Sequence, residues 1–153
     1  MKKKLIKLSM SIDTAVNPVK VVLDTNIIIS GIGFGGKPRK ILHLALENKI
    51  KSVTSAVLLA ELEDVITKKF PKLASYLELI HRKIKKKFLI VKPKKSLFVV
   101  GDEDDNRVLE AAVEGDCEYI ITGDQDLLRL NSFRKIEIVN SERFLEIFKT
   151  MAY

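Results

Sequence analysis

Four acidic residues of this chain flank apolar segments in a pattern suited to binding a divalent cation. They are Asp24, Glu61, Asp105 and Asp124. Asp24 directly follows the apolar run 19–23, and Asp124 follows the run 118–122 after one glycine. Carboxylates held close together repel one another and burial makes each charge more costly, so such a group is tolerable chiefly with a cation between its members. Because all-oxygen ligands select a hard ion, we expect one or two Mg²⁺ or Mn²⁺ ions.

The segments around these acids predict a fold of alternating strands and helices. Five short apolar runs predict strands, at residues 19–23, 51–54, 88–91, 118–122 and 136–139. The first run is rich in β-branched residues, which is typical of a strand buried on both faces. Apolar residues at helical spacing separate the runs. We therefore predict an α/β fold of three layers, α/β/α, around a mostly parallel five-stranded sheet.

This fold would bring the four acids to one edge of the sheet. The carboxyl ends of parallel strands share an edge, and ligands bind there. Asp24 and Asp124 follow two such ends. Ser55 is a suitable N-cap, and Glu61 lies six residues further on, about 9 Å along the helix axis, facing inward. Asp105 begins the helix that leads into the fourth strand, so we expect it at the same edge.

Other acids near these positions have simpler interpretations. Asp102, Glu103, Asp104 and Asp105 could be only a favourable negative start to a helix, and we favour that interpretation for Glu103 and Asp104 but not for Asp105. Asp102 could cap this helix or support the metal indirectly. Asp126 is interpreted as the cap of the short turn that follows it in preference to a metal ligand, with an indirect role at the metal left open.

The charge of the chain indicates a polyanionic partner. Lys and Arg number 27 against 20 Asp and Glu, giving a net charge of +7. Eight basic residues are concentrated in one stretch, with no acid between Glu78 and Asp102. They are Arg82, Lys83, Lys85, Lys86, Lys87, Lys92, Lys94 and Lys95. A basic face at the rim of the acidic edge would hold a nucleic-acid backbone with little sequence reading. The alternative is a solvated helix face followed by a solubilising loop.

Composition and length limit the class of protein. A chain of 153 residues fits one domain, which we place at residues 19–150 after an N-terminal tail, residues 1–18. Polar residues interrupt the signal-like N-terminus and no apolar run is long enough to cross a bilayer, so we expect a cytoplasmic protein with no membrane contact. Cys117 cannot form an internal disulfide, and His43 and His81 do not complete a zinc site with it.

Four sequence segments, taken in order, resemble the motifs of PIN-domain ribonucleases. They are VVLDTNIIIS with Asp24, SAVLLAELEDVI with Glu61, DEDDNRVLEAA with Asp105 and IITGDQDLL with Asp124. The resemblance covers about residues 19–150 and is nearest to the toxin components of toxin–antitoxin pairs. It implies a five-stranded parallel sheet, Mg²⁺- or Mn²⁺-dependent endonuclease activity on RNA, frequent homodimers, and often a toxin role opposed by an antitoxin protein.

The resemblance also implies roles for individual residues. The four acids would be both the metal ligands and the catalytic residues, activating a water molecule that hydrolyses the RNA phosphodiester bond. Thr25, Asn26 and Thr122 would hydrogen-bond to the acids and position them, and Ser30 would help from the first helix.

Other functions fit the sequence less well. A haloacid-dehalogenase-like phosphatase also has an acid after its first strand, but it needs a second Asp two residues on, where this chain has Asn26. A response-regulator receiver gathers paired acids before its first helix, and no such pair stands here. From a different class, the chain could be an RNA-binding or complex-forming module without turnover. The presence of all four acids argues against that alternative.

Overall fold

The computed structural model describes residues 17–151, which form one mixed sheet with helices on both faces. The six strands in that range are β1 Lys20–Leu23, β2 Lys51–Ser55, β3 Leu89–Val91, β4 Tyr119–Ile121, β5 Ser132–Phe133 and β6 Ile136–Val139. The seven α-helices in that range are α1 Thr25–Gly33, α2 Gly36–Leu46, α3 Ala56–Lys69, α4 Ala74–Lys87, α5 Glu103–Glu114, α6 Gln125–Leu130 and α7 Ser141–Met151. A short 3₁₀ turn, Pro71–Leu73, leads into α4.

The strand order across the sheet is β3-β2-β1-β4-β6-β5, and every pair except β5 with β6 is parallel. All five predicted strands are present, and the mostly parallel three-layer fold is confirmed. The predicted number of strands is wrong, because β5 adds a sixth at one edge. This strand has only two residues, and the turn at Arg134 and Lys135, where Arg134 has a φ of 57°, reverses the chain so that β5 is antiparallel to β6. Two residues are too few to show an alternating pattern in the sequence.

The two faces of the sheet carry separate apolar cores. Along β1, Val21 and Leu23 pack into one core, and Val22 packs into the other. The first core includes Phe144 of α7, and the second includes Leu109 of α5. This alternation is the period of two expected for a strand that is buried on both faces.

Two helix boundaries follow from local chemistry that the sequence already displays. Ser55 caps α3 as predicted, since its hydroxyl accepts a hydrogen bond from the Leu58 amide at 3.3 Å. Gly35 and Gly36 have φ values of 87° and 66°, so the chain breaks between α1 and α2 at two residues without a Cβ. The connection between β1 and β2 is therefore made of two helices.

The chain between β3 and α5 lies along α5 without joining the sheet. The Asn106 Oδ1 accepts hydrogen bonds from the Val99 amide at 2.9 Å and from the Val100 amide at 3.0 Å. The Asn106 Nδ2 donates to the Val100 carbonyl at 2.9 Å. The Glu110 Oε2 accepts from the Leu97 amide at 2.8 Å. Side chains of α5 thus satisfy backbone groups that a neighbouring strand would otherwise pair.

Two predictions concern parts of the chain that the structure describes only partly. The predicted tail, residues 1–18, and the signal-like N-terminus fall almost wholly outside residues 17–151. Within residues 17–151, none of the helices has the length and apolar character needed to cross a membrane.

Candidate metal centre

Asp24 and Asp124 lie side by side because their strands are neighbours. β1 pairs in parallel with β4, with Leu23 opposite Ile121, and the Asp24 amide donates to the Ile121 carbonyl at 2.9 Å. Thr122 links the two acids: its hydroxyl donates to Asp24 Oδ2 at 2.6 Å and accepts from the Asp124 amide at 3.0 Å. Thr122 is fully buried, so this geometry is fixed by the core.

Glu61 is joined to the first helix by a single hydrogen bond. The Thr25 hydroxyl donates to Glu61 Oε1 at 3.1 Å, which connects the start of α1 to the second turn of α3. Glu63 and Asp64, which follow Glu61 on α3, are exposed, and Asp64 pairs with Lys68 at 3.1 Å. Glu61 is therefore the acid of this helix that faces the carboxyl edge of the sheet.

The structure gives less support to the other two predicted positioning residues. Asn26 is exposed and Ser30 is partly buried. Among residues 17–151, no hydrogen bond joins either side chain to one of the four acids. Their positioning role stays a prediction, whereas Thr25 and Thr122 each make such a bond.

Asp105 lies in the first turn of α5 and is held there by the cap of that helix. The Asp102 Oδ1 accepts from the Asp104 amide at 2.8 Å and from the Asp105 amide at 3.3 Å, so Asp102 is the N-cap. Asp105 is only 7% exposed, and its Oδ2 has no hydrogen-bond partner among the described residues. A buried carboxylate oxygen without a partner is costly and points to a bound cation.

Among the described residues, Asp105, Asp124 and Asp126 form a group of acids close enough together to hold one cation, and Asp24 and Glu61 lie outside this group. One carboxylate oxygen from each of the three lies within 4.8 Å of the others. The prediction that Asp126 caps the next helix is wrong. Asp124 caps α6, since its Oδ1 accepts from the Asp126 amide at 2.8 Å and from the Leu127 amide at 3.2 Å. The Asp126 carboxylate takes no part in the cap.

These residues together are called the acidic centre. Its members are Asp24, Glu61, Asp105, Asp124 and Asp126. Burial raises the pKa of the Asp105 carboxyl to about 7, with the charges of Asp124, Asp102 and Asp24 adding to the shift. Burial also raises the pKa of the Asp24 carboxyl, against the hydrogen bond from Thr122, which lowers it.

Glu61 has a neighbour that the sequence did not single out. Burial raises the pKa of the Glu61 carboxyl to about 7, and the next cause is the charge of Asp104. The sequence predicts only a helix start at Asp104, because four consecutive acidic residues give no sign of which one faces the site. Raised pKa values, all-oxygen donors and an unpartnered buried oxygen all fit a hard divalent cation at this edge.

The eight basic residues do not surround the acidic centre as a rim. α4 leads into the amino end of β3, and the Lys51 ammonium, at the first residue of β2, donates to the Lys87 carbonyl at 3.3 Å. The last turns of α4 therefore lie at the edge opposite the acids. Arg82 pairs with Glu78 on the same helix at 3.8 Å.

The remaining lysines, Lys92, Lys94 and Lys95, follow the carboxyl end of β3. The Lys94 amide nevertheless donates to Glu114, the last residue of α5, which places it at the far end of that helix from Asp105. The basic stretch is thus divided over two regions of the surface, and its contact with a nucleic-acid backbone stays a prediction.

The fold and the acidic centre together define a three-layer α/β protein with a carboxylate site at the carboxyl edge of a parallel sheet. Residues 20–126 match the sequence model of the PIN domain. The chain therefore belongs to the PIN-domain family, whose members are nucleases. This confirms the resemblance seen in the sequence motifs.

Comparison with individual proteins agrees with this assignment. The chain is 39% identical over 130 residues to the uncharacterized protein MJ1680 of Methanocaldococcus jannaschii, covering 80% of this chain and 82% of that protein.

Three solved structures share the fold. VapBC2 from Rickettsia felis, bound to a DNA fragment from its promoter, superposes with a TM-score of 0.56 at 17% identity, covering 80% of this chain and 98% of the other. FitAB bound to an IR36 DNA fragment superposes with a TM-score of 0.53 at 17% identity, covering 79% of this chain and 94% of the other. The PIN-domain endonuclease Utp24 superposes with a TM-score of 0.52 at 21% identity, covering 83% of this chain and 88% of the other. At these identities the likeness is one of fold.

Proposed function

We propose that this protein is an endoribonuclease that requires Mg²⁺ or Mn²⁺. The observation that supports the proposal most directly is the convergence of Asp24, Glu61, Asp105 and Asp124 at one sheet edge, although they are far apart in sequence. Membership of a family of nucleases supports the reaction class. The net charge of +7 favours a polyanionic substrate.

Asp105, Asp124 and Asp126, which have carboxylate oxygens within 4.8 Å of one another, would hold the cation together with Asp24 and Glu61. When bound, one or two such ions supply a nucleophilic water at neutral pH and neutralise the charge that develops on the phosphodiester.

The chain's own residues prepare this arrangement before any ion binds. Thr122 fixes Asp24, Thr25 holds Glu61, and Asp102 anchors the start of α5 beneath Asp105. These contacts hold the Asp24 and Glu61 carboxylates, and the helix that carries Asp105, at this edge of the sheet.

The same proposal includes the biological setting that the motif resemblance implied. The chain would be the toxin of a toxin–antitoxin pair, bind an antitoxin protein and form a homodimer. The shared fold with VapBC2 and FitAB supports this setting. Co-purification of the chain with the product of a neighbouring gene, together with its mass in solution, would test both partners.

The nuclease activity is tested with purified protein and an unstructured RNA. We expect cleavage with Mn²⁺ or Mg²⁺, no cleavage after EDTA, and a loss of at least about a hundredfold in rate for Asp24→Asn. The matched control is Asp64→Asn, which removes one charge from the exposed face of α3 and should cleave like the wild type. Circular dichroism checks that both variants fold.

Two results would contradict this function. Cleavage that persists in Asp24→Asn would assign the activity to another site or to a contaminant. RNA that is bound by the wild type but never cut, with either ion, would favour the alternative of an RNA-binding module without turnover.

A further inference from the structure

Arg129 is the basic residue whose position ties it to the acidic centre. It lies on α6, and its guanidinium Nη2 contacts the Asp126 Oδ1. Asp126 in turn has a carboxylate oxygen within 4.8 Å of one from Asp105 and one from Asp124. A positive side chain is thus separated by one carboxylate from the place where the cation is expected.

Further acids lie near Asp105, the neighbour of Asp126 in the acidic centre. The charges of Asp24, Asp102 and Asp104 contribute to the raised pKa of the Asp105 carboxyl. Of the ion pairs formed among residues 17–151, only that of Arg129 includes an acid of the acidic centre. The lysines of α4 lie at the other edge of the sheet. An RNA that reaches the acidic centre therefore meets a positive charge in Arg129.

The geometry of the Arg129 side chain suits a phosphate. The guanidinium has five donors in a planar fork that matches two phosphate oxygens, and Asp126 occupies only one side of it. The side chain is 70% exposed, so the remaining donors face solvent. An exposed ion pair three residues apart on a helix contributes little to stability, so stability alone does not explain its place at the acidic centre.

We infer that Arg129 binds a phosphate of the RNA substrate beside the acidic centre, with Asp126 holding its guanidinium in position. The inference rests on the proposed ribonuclease function and names the residue that receives the substrate backbone. In this arrangement Asp126 serves two neighbours, the cation on one side and Arg129 on the other.

The test measures binding of a labelled single-stranded RNA to Asp24→Asn protein, which should not cleave it, at several salt concentrations. Adding Arg129→Gln should weaken binding by roughly tenfold or more, since a charge-assisted hydrogen bond is removed. The slope of log Kd against log salt should fall by about 0.7, the value for one phosphate bound on a single strand. Arg129→Lys should keep the slope and lose part of the affinity.

Arg143 provides a matched control. It forms the same kind of exposed pair, with Glu146 three residues on at 3.5 Å, and its side chain is 62% exposed, but its ion pair includes no acid of the acidic centre. Arg143→Gln removes the same charge and should leave both the affinity and the salt slope unchanged.

The outcomes separate this inference from the proposed function. If Arg129→Gln binds RNA with the affinity and salt slope of its parent, Arg129 is only a surface ion pair and the inference is wrong. If Arg143→Gln weakens binding as much, the effect is one of net charge and the inference also fails. If the parent protein binds no RNA at low salt, the proposed function fails together with the inference.

Discussion

At the scale of single residues, the acidic centre is a set of carboxylates held together against their own repulsion. Glu61 and Asp105 show this most clearly, because burial raises both pKa values to about 7 from ordinary values of 4.5 and 3.8. A group with a raised acid pKa binds its proton more tightly in the folded protein than in the unfolded chain. The ionised centre is therefore a source of instability that a bound cation would remove.

The direction of the pH effect follows from these shifts. Below about pH 3 both carboxyls are largely protonated in the folded and in the unfolded state, so their raised pKa values have little effect on the free energy of unfolding. As pH rises towards 7 the unfolded chain ionises first, and the metal-free protein loses stability. Above pH 7 the loss is complete. We expect the rise in Tm caused by Mn²⁺ to be larger at pH 8 than at pH 5, as measured by differential scanning fluorimetry.

A pair of variants controls this measurement. Glu61→Gln should reduce both the pH-dependent loss of stability and the Mn²⁺ shift. Glu63→Gln, on the exposed face of the same helix, should reduce neither. An equal Mn²⁺ shift at pH 5 and pH 8 would show that these carboxyls do not bind the ion.

At the scale of elements, helix α5 both carries a residue of the acidic centre and packs against the sheet. Its first turn carries Asp105, and its buried face packs against the sheet through Leu109. Asn106, the residue after Asp105, fixes the preceding segment through its bonds to Val99 and Val100. One buried amide thus anchors the chain that enters the acidic centre.

Asn106→Ala should weaken this element. It leaves two backbone amides without an acceptor and one carbonyl without a donor, which should lower the free energy of unfolding by about 1–3 kcal/mol. Urea denaturation measures the change. The exposed Glu63→Ala on α3 should change it by less than about 0.5 kcal/mol. If Asn106→Ala also lowers the free energy of unfolding by less than about 0.5 kcal/mol, water replaces the hydrogen bonds of Asn106 in the variant.

At the scale of the whole molecule, the acidic centre and the lysines of α4 lie in different regions of the surface. The acidic centre is at the carboxyl edge of the sheet, and the last turns of α4 bring Lys83, Lys86 and Lys87 to the amino edge. An RNA must therefore be long enough to pass from one edge to the other before it can contact both groups.

This separation predicts a dependence on RNA length. Replacing Lys83, Lys86 and Lys87 by Gln should weaken binding of a long RNA and lower its salt slope by about 0.7 for every phosphate that the lysines no longer bind. Binding of an oligonucleotide of a few residues should be unchanged. The comparison uses fluorescence anisotropy with both RNAs. Equal effects on short and long RNA would place the lysines near the acidic centre, and no effect on either would assign them to solubility.

Much of this arrangement was accessible from the sequence because it depends on chain connectivity. Apolar runs predicted the five longer strands, and the sharing of one edge by parallel strand ends predicted that Asp24 and Asp124 would meet. The helical spacing from Ser55 placed Glu61 on the inner face of α3. Each of these steps uses a backbone period or a strand direction, which local sequence determines.

Only the tertiary structure showed which of several neighbouring acids caps a helix and which lies near the acidic centre. Asp124 and Asp126 are two residues apart at a helix start, and only the packed backbone shows that Asp124 is the cap. The proximity of Asp104 to Glu61 depends on how α5 sits against α3. Side-chain direction and contacts between helices are set by packing across the sheet. This packing joins residues that are far apart in the sequence, so the local sequence does not predict it.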